Sequence, residues 1–222
     1  MEKHVITNLR NITALISKKT QEKLHMRTVD GELNYSDLYR LSIYGITRQI
    51  DTFKDDIEEN DSIAWLTYLR GMACLEHGMP AGAYKDFLYV MNSDHSEAEA
   101  RSEARFLAGL AAIQLGKADE AINHLNEFRQ HNESSVDVVY WLGIAYFRSG
   151  NLNTAEKHFD AAILFDRGFE DAYLARGKVH ISSGNLELAL NDFYKIIELN
   201  PENFEAQDFI RLLEIIREKF YR

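Results

Sequence analysis

Glycine and alanine return at fixed intervals along this chain, and the interval limits the possible folds more than any other feature of the sequence. Gly109, Gly143 and Gly177 stand 34 residues apart, and Gly116, Gly150 and Gly184 keep the same spacing. Ala121, Ala155 and Ala189 repeat in phase with them, as do the bulky apolar positions Leu125, Phe159 and Phe193. Four columns in register over three copies describe one structural unit used repeatedly. A fourth copy lies upstream with Gly71, Gly78, Ala83 and Phe87, displaced by 38 residues instead of 34. Its internal spacing is intact, so the four extra residues belong between units, in the polar stretch NSDHSEAEA at 92–100. A longer loop there costs little.

Each unit reads as helix. Only two prolines occur in 222 residues, and strand-like alternation of Val, Ile and Thr is scarce. Residues 140–159, YWLGIAYFRSGNLNTAEKHF, place Gly143 inside a helical run, where glycine costs about 1 kcal/mol against alanine. Packing must offset that loss, and the expectation is that the small Ala155 side of a second helix approaches Gly143 closely. The second glycine, in Ser149-Gly150-Asn151 and Ser183-Gly184-Asn185, stands where the first helix ends and a left-handed cap residue is wanted. One unit is then a helical hairpin, and stacked hairpins bury a shared core.

With this period and pattern the chain resembles the tetratricopeptide repeat family, whose signature puts Leu-Gly and Tyr on the first helix and Ala, Phe, Ala and Pro on and after the second. Residues 136–169 meet it with Leu142, Gly143, Tyr146, Ala155, Phe159 and Ala162. Residues 170–203 meet it with Tyr173, Gly177, Ala189, Phe193 and Pro201, with His180 where tyrosine is usual. Residues 64–101 and 102–135 depart at Arg70, Cys74, Arg105 and Ala112, where the family prefers larger apolar groups. The resemblance implies an all-α, right-handed solenoid of about four helical hairpins, with N-terminal helices and a C-terminal capping helix.

Residues 204–222 form the expected cap, with Ala206, Phe209, Ile210, Leu213, Ile216 and Phe220 on one stripe. Glu205, Asp208, Arg211, Glu218 and Lys219 are expected to face water. Residues 1–60 carry two further apolar helical patterns, Val5 to Ile16 and Leu38 to Ile57, the second opened by Ser36 as N-cap. They read as a degenerate repeat or as a dimerisation element that could also cover the groove.

The formal net charge of −10 argues against nucleic acid as partner, because such binding needs clustered Lys and Arg on the phosphates. Nothing approaches the apolar run of about 20 residues that crosses a bilayer, so stable membrane insertion is not expected. The N-terminus lacks the apolar core of a secretory signal, and the single Cys74 agrees with a reducing compartment, so the expected location is cytoplasmic. The eight histidines show no metal-ligand spacing, no glycine loop suits a phosphate, and Cys74 has no nucleophile motif around it. The chain is expected to be no enzyme and to need no metal or cofactor.

In the resembling family, helix one of each repeat lines a concave groove with its second, fifth, ninth and twelfth residues. Carried onto this chain, with the neighbouring sixth position, the candidate groove comprises Trp65, Tyr68, Met72, Phe106, Leu110, Tyr140, Trp141, Ile144, Phe147 and Lys178. Family members that capture a C-terminal carboxylate use Lys, Arg and Asn here, whereas this face is aromatic and apolar with Lys178 as its one cation. The expected function is therefore a non-catalytic protein-interaction adaptor for an apolar peptide segment. Basic flanks on that peptide would complement Glu103, Asp137 and Asp171. The alternatives are a dedicated chaperone of a secretion or assembly system, a regulatory subunit of an enzyme complex, and a groove closed by the chain's own N-terminal helices or in a homodimer.

Overall fold

The structure, a computed structural model, describes residues 60–131 and 135–220 together with positions 47, 50 and 51. The expectations for residues 1–59 otherwise lie outside the described residues. Nine helices and no strand occur among those described: α1 Asn60–Glu76, α2 Pro80–Asn92, α3 Ala98–Gln114, α4 Ala118–His131, α5 Val136–Arg148, α6 Leu152–Phe165, α7 Glu170–Ser182, α8 Leu186–Leu199 and α9 Phe204–Phe220. The fold is an all-α helical repeat. The chain divides into two compact units, Met1–Ala111 and Ala112–Arg222, the division falling inside α3.

The turns that make hairpins of these helices are alike. After α5, the Gly150 amide donates to the Phe147 carbonyl at 3.1 Å and the Asn151 amide to the Tyr146 carbonyl at 2.9 Å. This pair of bonds closes a helix end only if the residue between adopts a left-handed backbone, and Gly150 has φ +80°. Gly78, Gly116 and Gly184 have φ of +69°, +74° and +76°, each with the same two bonds. After Gly150 the next helix starts from a polar cap, Asn151 Oδ1 accepting from the Thr154 amide at 3.3 Å, and at the start of α5 Ser135 Oγ accepts from the Asp137 amide at 3.2 Å.

In the first unit, α1 and α2 pair through Gly71 and Phe87. A Cβ on Gly71 would stand 2.8 Å from Phe87 Cε1, so only glycine lets the ring lie there. Beside it, Arg70 occupies the position where the repeat pattern has leucine. Its Nε donates to Asp86 Oδ2 at 2.8 Å and its Nη2 to Oδ1 at 2.7 Å. Asp86 is buried, and a carboxylate is held at such a site only when both oxygens are bonded.

The second unit holds the hairpins α5–α6 and α7–α8, with α4 before them and α9 after. The expected approach of Ala155 to Gly143 is corrected here: the ring of Phe159 makes it, and a Cβ on Gly143 would lie 2.6 Å from Phe159 Cε1. Gly177 is related to Phe193 in the same way, at 2.7 Å. Ala155 is fully buried in the same cluster as Phe159, Ala175 and Val179. The physical reason is size: the space left by glycine is filled by a whole ring, which buries far more apolar surface than a methyl group.

The α7–α8 hairpin repeats the buried pair of the first unit. Arg176 Nε donates to Asp192 Oδ2 at 3.0 Å and Nη2 to Oδ1 at 2.6 Å, while Nη1 reaches Asp160 on α6 at 2.6 Å. Arg176 also sits 5.6 Å over the Tyr173 ring. On α9, Ala206 and Leu213 are buried, and Phe209, Ile210 and Ile216 pack beside them on Tyr173, Ala189, Leu190, Phe193 and Ile196. Phe209 stacks on Phe193 with ring centroids 4.8 Å apart.

Candidate functional site

The first-helix positions of each unit fall into two classes. In the first unit, Tyr68 is 1% exposed, Phe106 4% and Leu110 3%. Trp65 and Met72 are partly exposed. Trp65 stacks on Tyr68 with centroids 5.5 Å apart, and the Tyr68 hydroxyl donates to Glu103 Oε2 at 3.1 Å. Burial pushes the Glu103 carboxyl above its ordinary range, and the hydrogen bond from Tyr68 works against that shift.

In the second unit the corresponding side chains stand partly open. Tyr140, Trp141, Ile144 and Phe147 on α5 are all half-buried. Tyr140 meets the rings of Trp141, Phe159 and Phe169 at centroid distances of 5.2, 5.8 and 5.0 Å. Burial raises its phenol above the ordinary value, and the nearby carboxylates of Asp171 and Glu205 add to the rise. Ile144 and Phe147 pack against the cluster of Ala155, Phe159, Ala175 and Val179. Lys178 on α7 donates from Nζ to Glu205 Oε1 at 2.8 Å and lies 5.5 Å over the Phe209 ring. The cation singled out in the sequence is therefore already paired.

Asp137 sits at the start of α5, where burial pushes its carboxyl up while a hydrogen bond with Ser135 draws it down. Asp171 and Glu205 follow at 34-residue steps on α7 and α9. Sequence reasoning placed Glu205 and Asp208 simply in water and overlooked Leu212 and Ile215. These last two lie 34 residues after Lys178 and Ile181 and are about half exposed. The repeat offset was the signal that could have found them.

Among the described residues no three His, Cys, Asp or Glu side chains are grouped to hold a metal ion. None of the described helices is long and apolar enough to cross a membrane. Cys74 is buried, and burial pushes its thiol up, away from the reactive thiolate. What the second unit presents is a row of aromatic and aliphatic side chains edged by carboxylates. Such a surface can hold an apolar segment of another chain by burial and select it by charge.

Residues 106–172 and 170–203 match family models described as tetratricopeptide repeat. RNA polymerase II-associated protein 3 of Rattus norvegicus is 32% identical over 102 residues, covering 46% of this chain and 16% of that protein. The chain thus spans less than a fifth of that relative. Among solved structures, YrrB, described as a TPR protein with an unusual peptide-binding site, aligns with a TM-score of 0.62 at 19% identity over 85% of this chain and 96% of its own. The first TPR of Spaghetti (RPAP3), bound to the HSP90 peptide SRMEEVD, aligns with a TM-score of 0.50 at 26% identity over 53% of this chain and 96% of its own.

Proposed function

The chain belongs to the tetratricopeptide repeat family, and from that premise we propose that it is a non-catalytic, cytoplasmic adaptor whose second unit binds an apolar segment of a protein partner. The observation that carries this reading is the half-open row on α5, with Tyr140, Ile144 and Phe147 packed at their base yet partly exposed. Aromatic side chains held rigidly in this way supply much of the energy of protein interfaces. Trp65 and Met72 give the first unit an apolar face of its own.

The partner's character follows from the charges. The peptide SRMEEVD in the RPAP3 complex carries three acidic side chains. A segment of that kind would meet Asp137, Asp171 and Glu205 in this chain, with Lys178 already bonded to Glu205. Like charges brought together on burial are unfavourable, so the segment proposed here is apolar and without acidic groups at its anchors.

The test is selection of a random displayed peptide library on the full chain, with each enriched peptide then titrated by fluorescence anisotropy. The Ile144→Ser/Phe147→Ser variant, shown by circular dichroism to keep its helix content, is expected to lose about tenfold or more in affinity, in line with loss of two anchor contacts. Equal binding by the variant would remove the α5 face as the site.

A further inference from the structure

We infer that the turn edge of the second unit, where α6 and α8 end, is a contact surface for a second copy of this chain, separate from the α5 face. Leu164 and Phe165 close α6, Leu199 closes α8 and Phe204 opens α9; they are 76%, 57%, 40% and 75% exposed. None of them belongs to the buried clusters of the unit. Phe165 and Leu199 stand 34 residues apart, at the same place in two successive hairpins. The turns that follow them are built alike. The Gly168 amide donates to Asp166 Oδ1 at 2.8 Å and the Phe169 amide to the Asp166 carbonyl at 3.2 Å. In the next turn the Glu202 amide donates to Asn200 Oδ1 at 3.2 Å and the Asn203 amide to the Asn200 carbonyl at 3.1 Å. Glu170 ties one turn to the other, its Oε2 accepting from Asn200 Nδ2 at 3.2 Å and from Asn203 Nδ2 at 3.1 Å. The four apolar side chains therefore share one edge.

Area and charge together select the occupant. With about 200 Å² for a whole phenylalanine and slightly less for leucine, the four leave on the order of 450 Å² of apolar surface open. A standard interface covers about 800 Å² on each partner, of which about 65% is apolar in homodimers. An apolar centre of this size with a polar rim is close to one half of a two-copy interface. The rim is self-complementary. Glu198 is bonded to Lys195 at 2.7 Å, and Glu170 is taken up by the two asparagines. Arg167 and Glu202 are exposed and make no ion pair among the described residues. They stand on the two neighbouring turns, one cation and one carboxylate, so a two-fold axis through the edge can bring Arg167 of each copy to Glu202 of the other. A partner of one sign would satisfy only one member of that pair.

The experiment is sedimentation equilibrium of the full chain. The wild type is expected to be mainly dimeric at about 100 µM, the weak end of what interfaces of this size reach. Leu164→Ser/Phe204→Ser removes the two side chains of the edge most open to water, so circular dichroism and the melting temperature are expected to match wild type. Each change counts twice across the axis, and the dimer dissociation constant is expected to rise about a hundredfold. Arg167→Glu and Glu202→Arg are each expected to raise it severalfold and the two together to restore it, because the reversed pair forms again. Peptides bound at the α5 face are expected to keep their affinity in all these variants. A wild type that stays monomeric at that concentration overturns the proposal, as does a dimer that Leu164→Ser/Phe204→Ser leaves intact. A dimer dissociated by Ile144→Ser/Phe147→Ser instead gives the second copy to the α5 face and overturns the edge. Charge variants that fail to rescue each other overturn the Arg167–Glu202 pairing and with it the two-fold arrangement.

Discussion

Arg176→Leu tests the polar pair inside the α7–α8 hairpin. Leucine is the residue of the preceding hairpin at this position, Leu142, so the change fits sterically. What it removes is a pair of hydrogen bonds, 3.0 and 2.6 Å long, to a carboxylate whose side chain is 5% exposed. The nearest remaining cationic candidate, His180 Nε2, is 3.6 Å from Asp192 Oδ2, too far for a good hydrogen bond. Removing one partner of a buried ion pair costs about 3–5 kcal/mol. Arg176 is itself 22% exposed, so water reaches the vacated side, and the expected loss is about 2–3 kcal/mol, at or just under the low end of that range. The bond to Asp160 adds under about 1 kcal/mol because Asp160 is 52% exposed.

The matching gain comes from a transplant. Arg176→Leu/His180→Tyr/Asp192→His installs the set Leu142, Tyr146 and His158 of the preceding hairpin, in which His158 stacks on Tyr146 at 5.3 Å. It leaves no buried charge without a partner, and most of the lost stability is expected to return. Urea unfolding followed by circular dichroism gives the free energies. Amide hydrogen exchange in α7 and α8 localises them, because hairpins in an array open separately. A loss under about 1 kcal/mol for the single change, the size of a surface pair, would refute the reasoning. So would a triple variant no more stable than the single one.

Gly143→Ala gains about 1 kcal/mol of helix propensity but sets a methyl group 2.6 Å from Phe159 Cε1; overpacking of that kind costs about 1–3 kcal/mol, so thermal melts should show a net loss that adding Phe159→Leu partly reverses. Glu103→Gln reports on pH. Because burial raises the Glu103 carboxyl, the folded chain binds more protons there than the unfolded chain, and this contribution is fully present below about pH 4 and lost as pH rises through the raised value. The Gln variant, whose side-chain oxygen still accepts from Tyr68, should therefore lose less stability than wild type between about pH 4 and pH 7; parallel urea midpoints in the two proteins across that interval would sink the idea.

The hairpins were legible because their determinants are local and few. A left-handed residue after each first helix can hardly be anything but glycine, and a ring-sized space beside a helix backbone needs glycine as well, so both leave columns that repeat. The Arg70–Asp86 and Arg176–Asp192 pairs were not legible one residue at a time. Arg70 looked like a defect in an apolar position, since its partner lies 16 residues on and on another helix. Comparing columns resolves it: the hairpins with arginine at the first position have aspartate at the second, and those with Ala108 or Leu142 have His124 or His158.

The candidate face was legible in part for a related reason. Repeat offsets say which position faces the inner side, but how far each side chain is covered depends on its neighbours. Tyr68, Phe106 and Leu110 are buried while Tyr140, Ile144 and Phe147, at like positions, are partly open. On α9 the charged residues expected to face water, Glu205, Asp208, Arg211, Glu218 and Lys219, are exposed, while one apolar stripe already accounts for a cap and leaves Leu212 and Ile215 unremarked. Leu212 and Ile215 lie outside that buried stripe and are about half exposed. Their place in the repeat, one offset beyond Lys178 and Ile181, is visible only when α9 is compared with α5 and α7 column by column.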